Sequence, residues 1–305
     1  MADIRILASG LRFPEGPVAM ADGSVILGEI AGGAVTRVML DGTTREIGKA
    51  GGGPNGLALG PDGALYVCNN GGAVYQTTPS FLSTGPAPDY QGGSIQRIDP
   101  ATGETRILYS HCGAQRLSAP NDIVFDRQGG FYFTDLGKRY AHQRDHGGLY
   151  YALPDGSRIT ELVYPIVTPN GVGLSPDEKT VYVADTETSR LIAFDIVEPG
   201  KLKHEPFPAP YGGRLVCGLP GFQRFDSLAI EASGNICVAT LVTGHITVIA
   251  PSGEVVRQVK MPDVYPTNIC FGGSDLRTAY ISLSATGRLA AMQWPEPGLR
   301  LNFMA

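Results

Sequence analysis

The chain has 305 residues, 43% hydrophobic and 17% charged, with a formal net charge of −5. That describes a globular protein with enough length for a large core, and the composition is not that of a disordered chain. A pI near 5.6 and the lack of any Lys/Arg cluster argue against nucleic acid as a partner. No apolar run approaches the length of a membrane span, and "MADIRILASG" at the start has no secretory apolar core, so neither a membrane nor export is expected. Five cysteines (Cys68, Cys112, Cys217, Cys237 and Cys270) stand without CxxC spacing. An odd, scattered set reads as reduced thiols in a cytoplasmic protein, with Cys112 on a loop.

Forty-one glycines and 23 prolines suit short strands and tight turns. In chain order, "DIRILA" (residues 3–8) is strand-like and precedes six related units. These are "PEGPVAMADGSVILGE", "PNGLALGPDGALYVCN", "PNDIVFDRQGGFYFTD", "PNGVGLSPDEKTVYVAD", "FDSLAIEASGNICVAT" and "TNICFGGSDLRTAYIS". Each opens on a polar anchor: Glu15, Asn55, Asn121, Asn170, Asp226 and Asn268. A turn residue follows seven positions later, and a second strand then runs out to Glu29, Asn69, Asp135, Asp185, Thr240 or Ser282. Between anchor and turn the pattern alternates with period two, bulky at Leu57/Leu59, Ile123/Phe125, Val172/Leu174 and Leu228/Ile230, and small between them. That is strand periodicity.

A third strand follows in every unit, such as "AVTRVML" or "HITVIA", and most offer a fourth, such as "TTREIG" or "EVVRQV". The anchors are 40, 66, 49, 56 and 42 residues apart. Four antiparallel strands at that period predict an all-β, six-bladed β-propeller around a central channel, one domain over 1–305. Ring closure requires the chain ends to meet, and the strand near 3–8 is expected to complete the last blade.

Inner strands line the channel of a propeller, so the six anchors converge on its axis. Two carboxylates and four amides, all oxygen donors and none cationic, repel one another unless something positive sits among them. A hard divalent cation fits, Ca²⁺ or Mg²⁺ by preference. Single Asn-Gly pairs such as 55–56 and 170–171 also serve as turns; the two acids at equivalent positions carry the inference, because burying both is costly without compensation. The five histidines are expected to head no strand and to lie outside the anchor series.

The sequence resembles the SMP-30/gluconolactonase/LRE family of six-bladed propellers, and more distantly the diisopropylfluorophosphatases. "PEGP" (14–17), "PND" (120–122), "PNGVGLSPD" (169–177) and "FDSLAIEASGNICVA" (225–239) carry the likeness. It implies a divalent metal on Glu15, Asn170 and Asp226, with Asn121 at the metal or the substrate. Asn55 and Asn268 would be supporting or structural. The implied activity is metal-assisted opening of a lactone, sugar or small non-sugar, with Asp226 or Glu15 as the catalytic acid–base and Ca²⁺, Mg²⁺, Mn²⁺, Zn²⁺ or Fe²⁺ as the ion. An esterase or phosphotriesterase on the same site, or a metal-binding propeller without activity, are the other readings.

Two departures bear on substrate. The arginine that sugar lactonases of the family often carry two positions before the PND asparagine is Ala119 here, and the usual Asp-Gly is Asp226-Ser227. The segment 136–148, with Lys138, Arg139, Tyr140 and His142, is a candidate replacement or else a solvated loop. Asn55, Asn121, Arg139 and Tyr140 are accordingly candidate substrate contacts. The insertion "YQTTPSFLSTGPAPDYQGG" (75–93) could form a lid or a passive loop.

Overall fold

A computed structural model describes residues 3–304, so the expected domain bounds of 1–305 run onto three residues that lie outside the described ones. Among the described residues there is no α-helix, only the single 3₁₀ turns Pro210–Gly212 and Ser284–Thr286. No helix is long and apolar enough to cross a membrane. The strands form six antiparallel sheets that are the blades of a propeller.

Blade 1 comprises Pro14–Ala19, Val25–Glu29, Ala34–Val38 and Thr44–Lys49. Blades 3 (from Pro120–Phe125), 4 (from Pro169–Leu174) and 5 (from Arg224–Ile230) repeat this up-and-down order. Blade 2, which begins at Pro54–Leu59, admits an extra hairpin, Ala73–Gln76 with Leu82–Pro86, between its second and third strands. The outer strand of blade 4, Arg214–Gly218, carries no clear signal in the sequence because a short hairpin through Lys201–Leu202 separates it from Arg190–Glu198. In blade 6 the three strands from Pro266–Gly272 onward are completed by Ile4–Ser9, which pairs antiparallel with Arg288–Gln293. The N-terminal strand therefore covers an edge that would otherwise be open.

Core residues form clusters between neighbouring blades, for example Val172, Val183, Ile192 and Phe194 of blade 4 against Tyr132, Leu149 and Tyr151 of blade 3. Trp294, the sole tryptophan, is fully buried; its Nε1 donates to Glu231 Oε1 at 2.7 Å, and Arg257 pairs with the same carboxylate.

Every inner strand departs from regular pairing beside its anchor. The shifts fall at Glu15/Val18, Pro54/Leu57, Pro120/Ile123, Pro169/Val172, Phe225/Leu228 and Pro266/Asn268. Such bulges bend a strand and redirect a side chain; here they turn the anchors toward the axis. Neighbouring inner strands also approach very closely at the next position. A Cβ on Gly56 would stand 2.5 Å from the Asn121 carbonyl oxygen, and one on Gly171 would stand 2.7 Å from the Leu228 nitrogen. Backbone on both sides leaves nothing free to yield.

The polar ends of the second strands have a shared task. Glu29 Oε2 accepts from Arg12 N at 2.7 Å, Asn69 Oδ1 from Gly53 N at 2.9 Å, and Asp135 from Ser118 N and Ala119 N at 2.7 Å each. Asp185 Oδ1 accepts from Thr168 N at 3.1 Å and Thr168 Oγ1 at 2.6 Å. In these four blades the residue thereby fixes the loop that delivers the anchor of its own blade.

Gly56→Ala is therefore expected to lower stability by about 1–3 kcal/mol through overpacking at the axis. Thermal unfolding followed through Trp294 emission checks this; an unchanged Tm would show that the inner strands can separate freely.

Candidate active site

Glu15, Asn55, Asn121, Asn170, Asp226 and Asn268 occupy equivalent places on the six inner strands, and all are buried. The first five line one cavity of about 230 Å³ at one end of the channel. Asn268 does not line it; its Nδ2 donates to Glu15 Oε2 at 3.2 Å. Glu15 Oε2 also accepts from Gly16 N at 2.9 Å. Asn170 Oδ1 accepts from Ser227 Oγ at 3.3 Å, so the serine in place of the usual glycine supports a ring member.

Electrostatics in this ring are unfavourable as the residues stand alone. Burial raises the Glu15 carboxyl, against the pull of hydrogen bonds from Thr267, Gly16 and Asn268. Asp226 is raised well above the ordinary range, by burial first and then by the charge of Glu15. Asn121 Oδ1 is buried with no hydrogen-bond partner. An orphaned amide oxygen facing two desolvated carboxylates is a donor set lacking an acceptor of its lone pairs. The set is all oxygen, and it suits a hard divalent cation. Among the described residues no cluster of three or more His, Cys, Asp or Glu side chains is placed to hold a metal, so any cation here relies on amides for part of its shell.

A third carboxylate lies close by. Asp122 is buried, and burial first, then the Glu15 charge among other causes, pushes it up to about 7. It accepts from Ile123 N at 3.0 Å and Val172 N at 3.3 Å, and it faces the lower channel. That space, about 310 Å³, is lined by Leu57, Ile123, Val172 and Leu228, with Leu299 to Asn302 at its far end. The alternating bulky residues of the inner strands thus form an apolar shaft beneath the polar ring.

The hairpin of blade 2 reaches over the ring. Tyr75, Leu82 and Ser83 line the cavity, and burial followed by the charges of Glu15 and Asp226 raises the Tyr75 phenol. The Tyr75 ring packs 5.1 Å from that of Phe13, whose backbone is left-handed at φ 59°. Such a φ on a bulky residue marks strain held by its surroundings. The insertion is therefore a wall of the site.

Another part of the lining is basic. Lys138, Arg139, Arg144 and Arg224 line it with Glu187 and Thr186. Lys138 Nζ donates to the carbonyls of Asn70 at 2.7 Å and Gly72 at 2.6 Å, and burial lowers it to about 8. Ala119 lines the cavity without contributing charge. Tyr140 is not brought to the cavity: it stacks edge-on to Tyr90, 6.4 Å away, behind Lys138. His142 is exposed and also off the cavity.

Two expectations need correction. His245 begins the third strand of blade 5, His245–Ile249, and His111 and Cys112 form a strand of a small hairpin with Gln115–Arg116. Histidine and cysteine tolerate strand ends where a ring or thiol can half-bury, so their types gave no warning. None of the five histidines lines the cavity.

The SMP-30/Gluconolactonase/LRE-like pattern matches residues 13–285. The chain belongs to this family. It is 31% identical over 261 residues to the lactonase drp35 of Staphylococcus saprophyticus, covering 85% of this chain and 72% of that one. The gluconolactonase of Zymomonas mobilis is 24% identical over 313 residues, with 92% and 79% covered. A calcium-binding regucalcin from Agrobacterium tumefaciens superposes with a TM-score of 0.77 at 17% identity, with 100% and 98% covered, which shows a shared fold.

The raised carboxyls make a prediction for the metal-free protein. Between about pH 4 and 7 the folded chain retains a proton on Asp122 that the unfolded chain has released. The raised Glu15 and Asp226 act in the same sense. Stability therefore falls as pH rises through this window, by about 4 kcal/mol for Asp122 alone. The Tm of chelated protein is expected to drop from acid to neutral pH. The gain on adding Ca²⁺ should grow over the same range, because the ion favours ionised carboxylates. A Ca²⁺ gain that is flat with pH would show that these carboxyls do not meet the ion.

Proposed function

We propose that this protein is a divalent-metal-dependent lactonase. The carrying observation is the buried, all-oxygen ring in which the Asn121 amide oxygen has no partner and Glu15 and Asp226 are held out of water. Family membership and the lactonase names of its relatives support the reaction class. Glu15, Asn170, Asp226 and Asn121 would hold the cation, Ca²⁺ in the first instance, with Mg²⁺, Mn²⁺, Zn²⁺ and Fe²⁺ as alternatives. A bound divalent ion supplies Lewis-acid polarisation of the lactone carbonyl.

The side chains do the remaining work. Tyr75 and Phe13 pack against the lactone ring and exclude water from one side. Asp226, kept ionised by the cation it would help to hold, would take a proton from the attacking water through an oxygen not engaged with the ion, as oxygen adds to the carbonyl carbon. The ring acyl C–O bond then breaks, and the same carboxyl returns the proton to the departing ring oxygen. The products are an alcohol and a carboxylic acid that ionises, so one proton is released per turnover. Glu15 is the second candidate for this transfer. Asn121 and Asn55, which line the cavity, would orient the substrate.

Stripped protein assayed by pH-stat on a lactone panel, with each ion restored in turn, tests this reading. Acid release is expected only with metal, and Asp226→Ala is expected to lose about 10³-fold or more. Tight metal binding with no turnover on any lactone would refute the lactonase and favour another ester or a structural ion.

A further inference from the structure

The arginines of the basic wall carry more positive charge than the one acid paired with them, Glu187, satisfies. Arg139 and Arg144 face each other across an antiparallel bridge in a tight loop, closed by Tyr140 N to Gln143 O and Asp145 N to Lys138 O at 2.8 Å each. Like charges directly opposite on paired strands are unfavourable. Arg224, delivered by blade 5 two residues before Asp226, adds a third guanidinium to the same wall. Only Glu187 lies between them, 3.6 Å from Arg144 Nη2 and 3.0 Å from Arg224 Nη2. The next acid, Asp185, is already engaged by Thr168 N, Thr168 Oγ1 and the Tyr211 hydroxyl.

Three polar atoms on this wall are buried without partners: Arg144 Nη1, Arg224 Nε and Thr186 Oγ1. Guanidinium groups are the side chains best suited to a planar oxyanion, and Arg144 and Arg224 line the cavity beside the Thr186 hydroxyl with donors to spare. The cavity as a whole is lined by four cationic side chains and three carboxylates. With a dication on the ring its charge would be strongly positive.

We propose that the lactone accepted here carries a carboxylate, bound by Arg144, Arg224 and Thr186 in the cavity that Phe13 and Tyr75 also line. The inference rests on the lactonase reading of the site and specifies its substrate class. Arg139, on the rim, strengthens the field that draws the anion in. The ring oxygens then meet the substrate's ester end, while the arginines hold the other end. A cavity of about 230 Å³ fits a small ring with one such substituent and little more.

The test compares a γ-butyrolactone bearing a ring carboxylate with its carboxamide and with a phosphate-bearing counterpart. It uses the metal-loaded wild type, Arg144→Gln and Arg224→Gln. The wild type is expected to prefer carboxylate over carboxamide by about 10–100-fold in kcat/KM, the worth of charge-assisted hydrogen bonds. Each variant should reduce that ratio about tenfold, mainly through KM; a merely structural arginine would lower both substrates together and leave the ratio intact. Binding of the ring-opened hydroxy-dicarboxylate to metal-free protein, measured by calorimetry, is expected to weaken about tenfold in each variant.

Equal turnover of carboxamide and carboxylate, or faster turnover of the phosphate compound, would overturn the proposal. So would dicarboxylate binding that ignores both substitutions. If no lactone turns over but the dicarboxylate binds through the arginines, the anion site stands and the lactonase reading fails. If the variants do not fold, the wild-type preference and its dicarboxylate affinity decide the matter alone.

Discussion

Two carboxylates held out of water at the head of the channel set the terms for the whole ring. Glu15 and Asp226 come from blades 1 and 5; burial raises both, and the charge of Glu15 adds to the cost of ionising Asp226. A fold tolerates such a pair only when the surrounding backbone cannot relax away from it. The restraint is visible. A bulge beside every anchor turns the side chain inward, Gly56 and Gly171 let adjacent strands close to backbone contact, and Asn69, Asp135 and Asp185 fix the loops just upstream. In blades 1 to 4 the last polar residue of the second strand is thus a brace for the anchor beside it, and mutation there would act on the site at one remove.

Closure of the ring serves the same end. The anchors converge only if all six blades keep their angular places, and the pairing of Ile4–Ser9 with Arg288–Gln293 locks blade 6 between the two chain ends. Asn268 of that blade spends its amide on Glu15, so the closing blade touches a site carboxylate directly. Stability of the ring and geometry of the site are one property here.

Much of this was legible in the sequence because repetition made it so. Six anchors at equivalent offsets identified the inner strands, and a ring of oxygen donors followed from the topology. What the repeat could not supply came from positions where blades differ. Asp122 stands where blades 1, 2 and 4 have Gly16, Gly56 and Gly171, and that break in pattern was its only signal. The arginines were harder: Arg144 lies in an irregular loop, and Arg224 stands two positions before the blade 5 anchor, the offset at which blade 3 has Ala119. Tyr140 looked as suitable as Arg139, yet the bridge between Arg139 and Arg144 turns the tyrosine away toward Tyr90. The outer strand of blade 4 was hidden because a 3₁₀ turn and a short hairpin interrupt the spacing.

The division of labour follows from where variation is tolerated. Inner strands are constrained on both faces: bulky residues fill the shaft, and small ones admit the neighbouring strand, so their anchors change little without breaking the ring. Loops after the second strands open on the same mouth and do not pack against a neighbouring inner strand on both faces. They contribute Lys138, Arg139, Arg144, Thr186 and Glu187, while the blade 2 hairpin contributes Tyr75 and Leu82. A site assembled this way separates two demands. The ring presents oxygen donors whose chemistry is set by the propeller itself, and the walls decide what shape and charge of molecule reaches it. Basic and aromatic side chains line the same small cavity, so in the proposed function a bound molecule would be oriented by its own polarity before any bond is made or broken. That orientation is where a family scaffold becomes a particular enzyme.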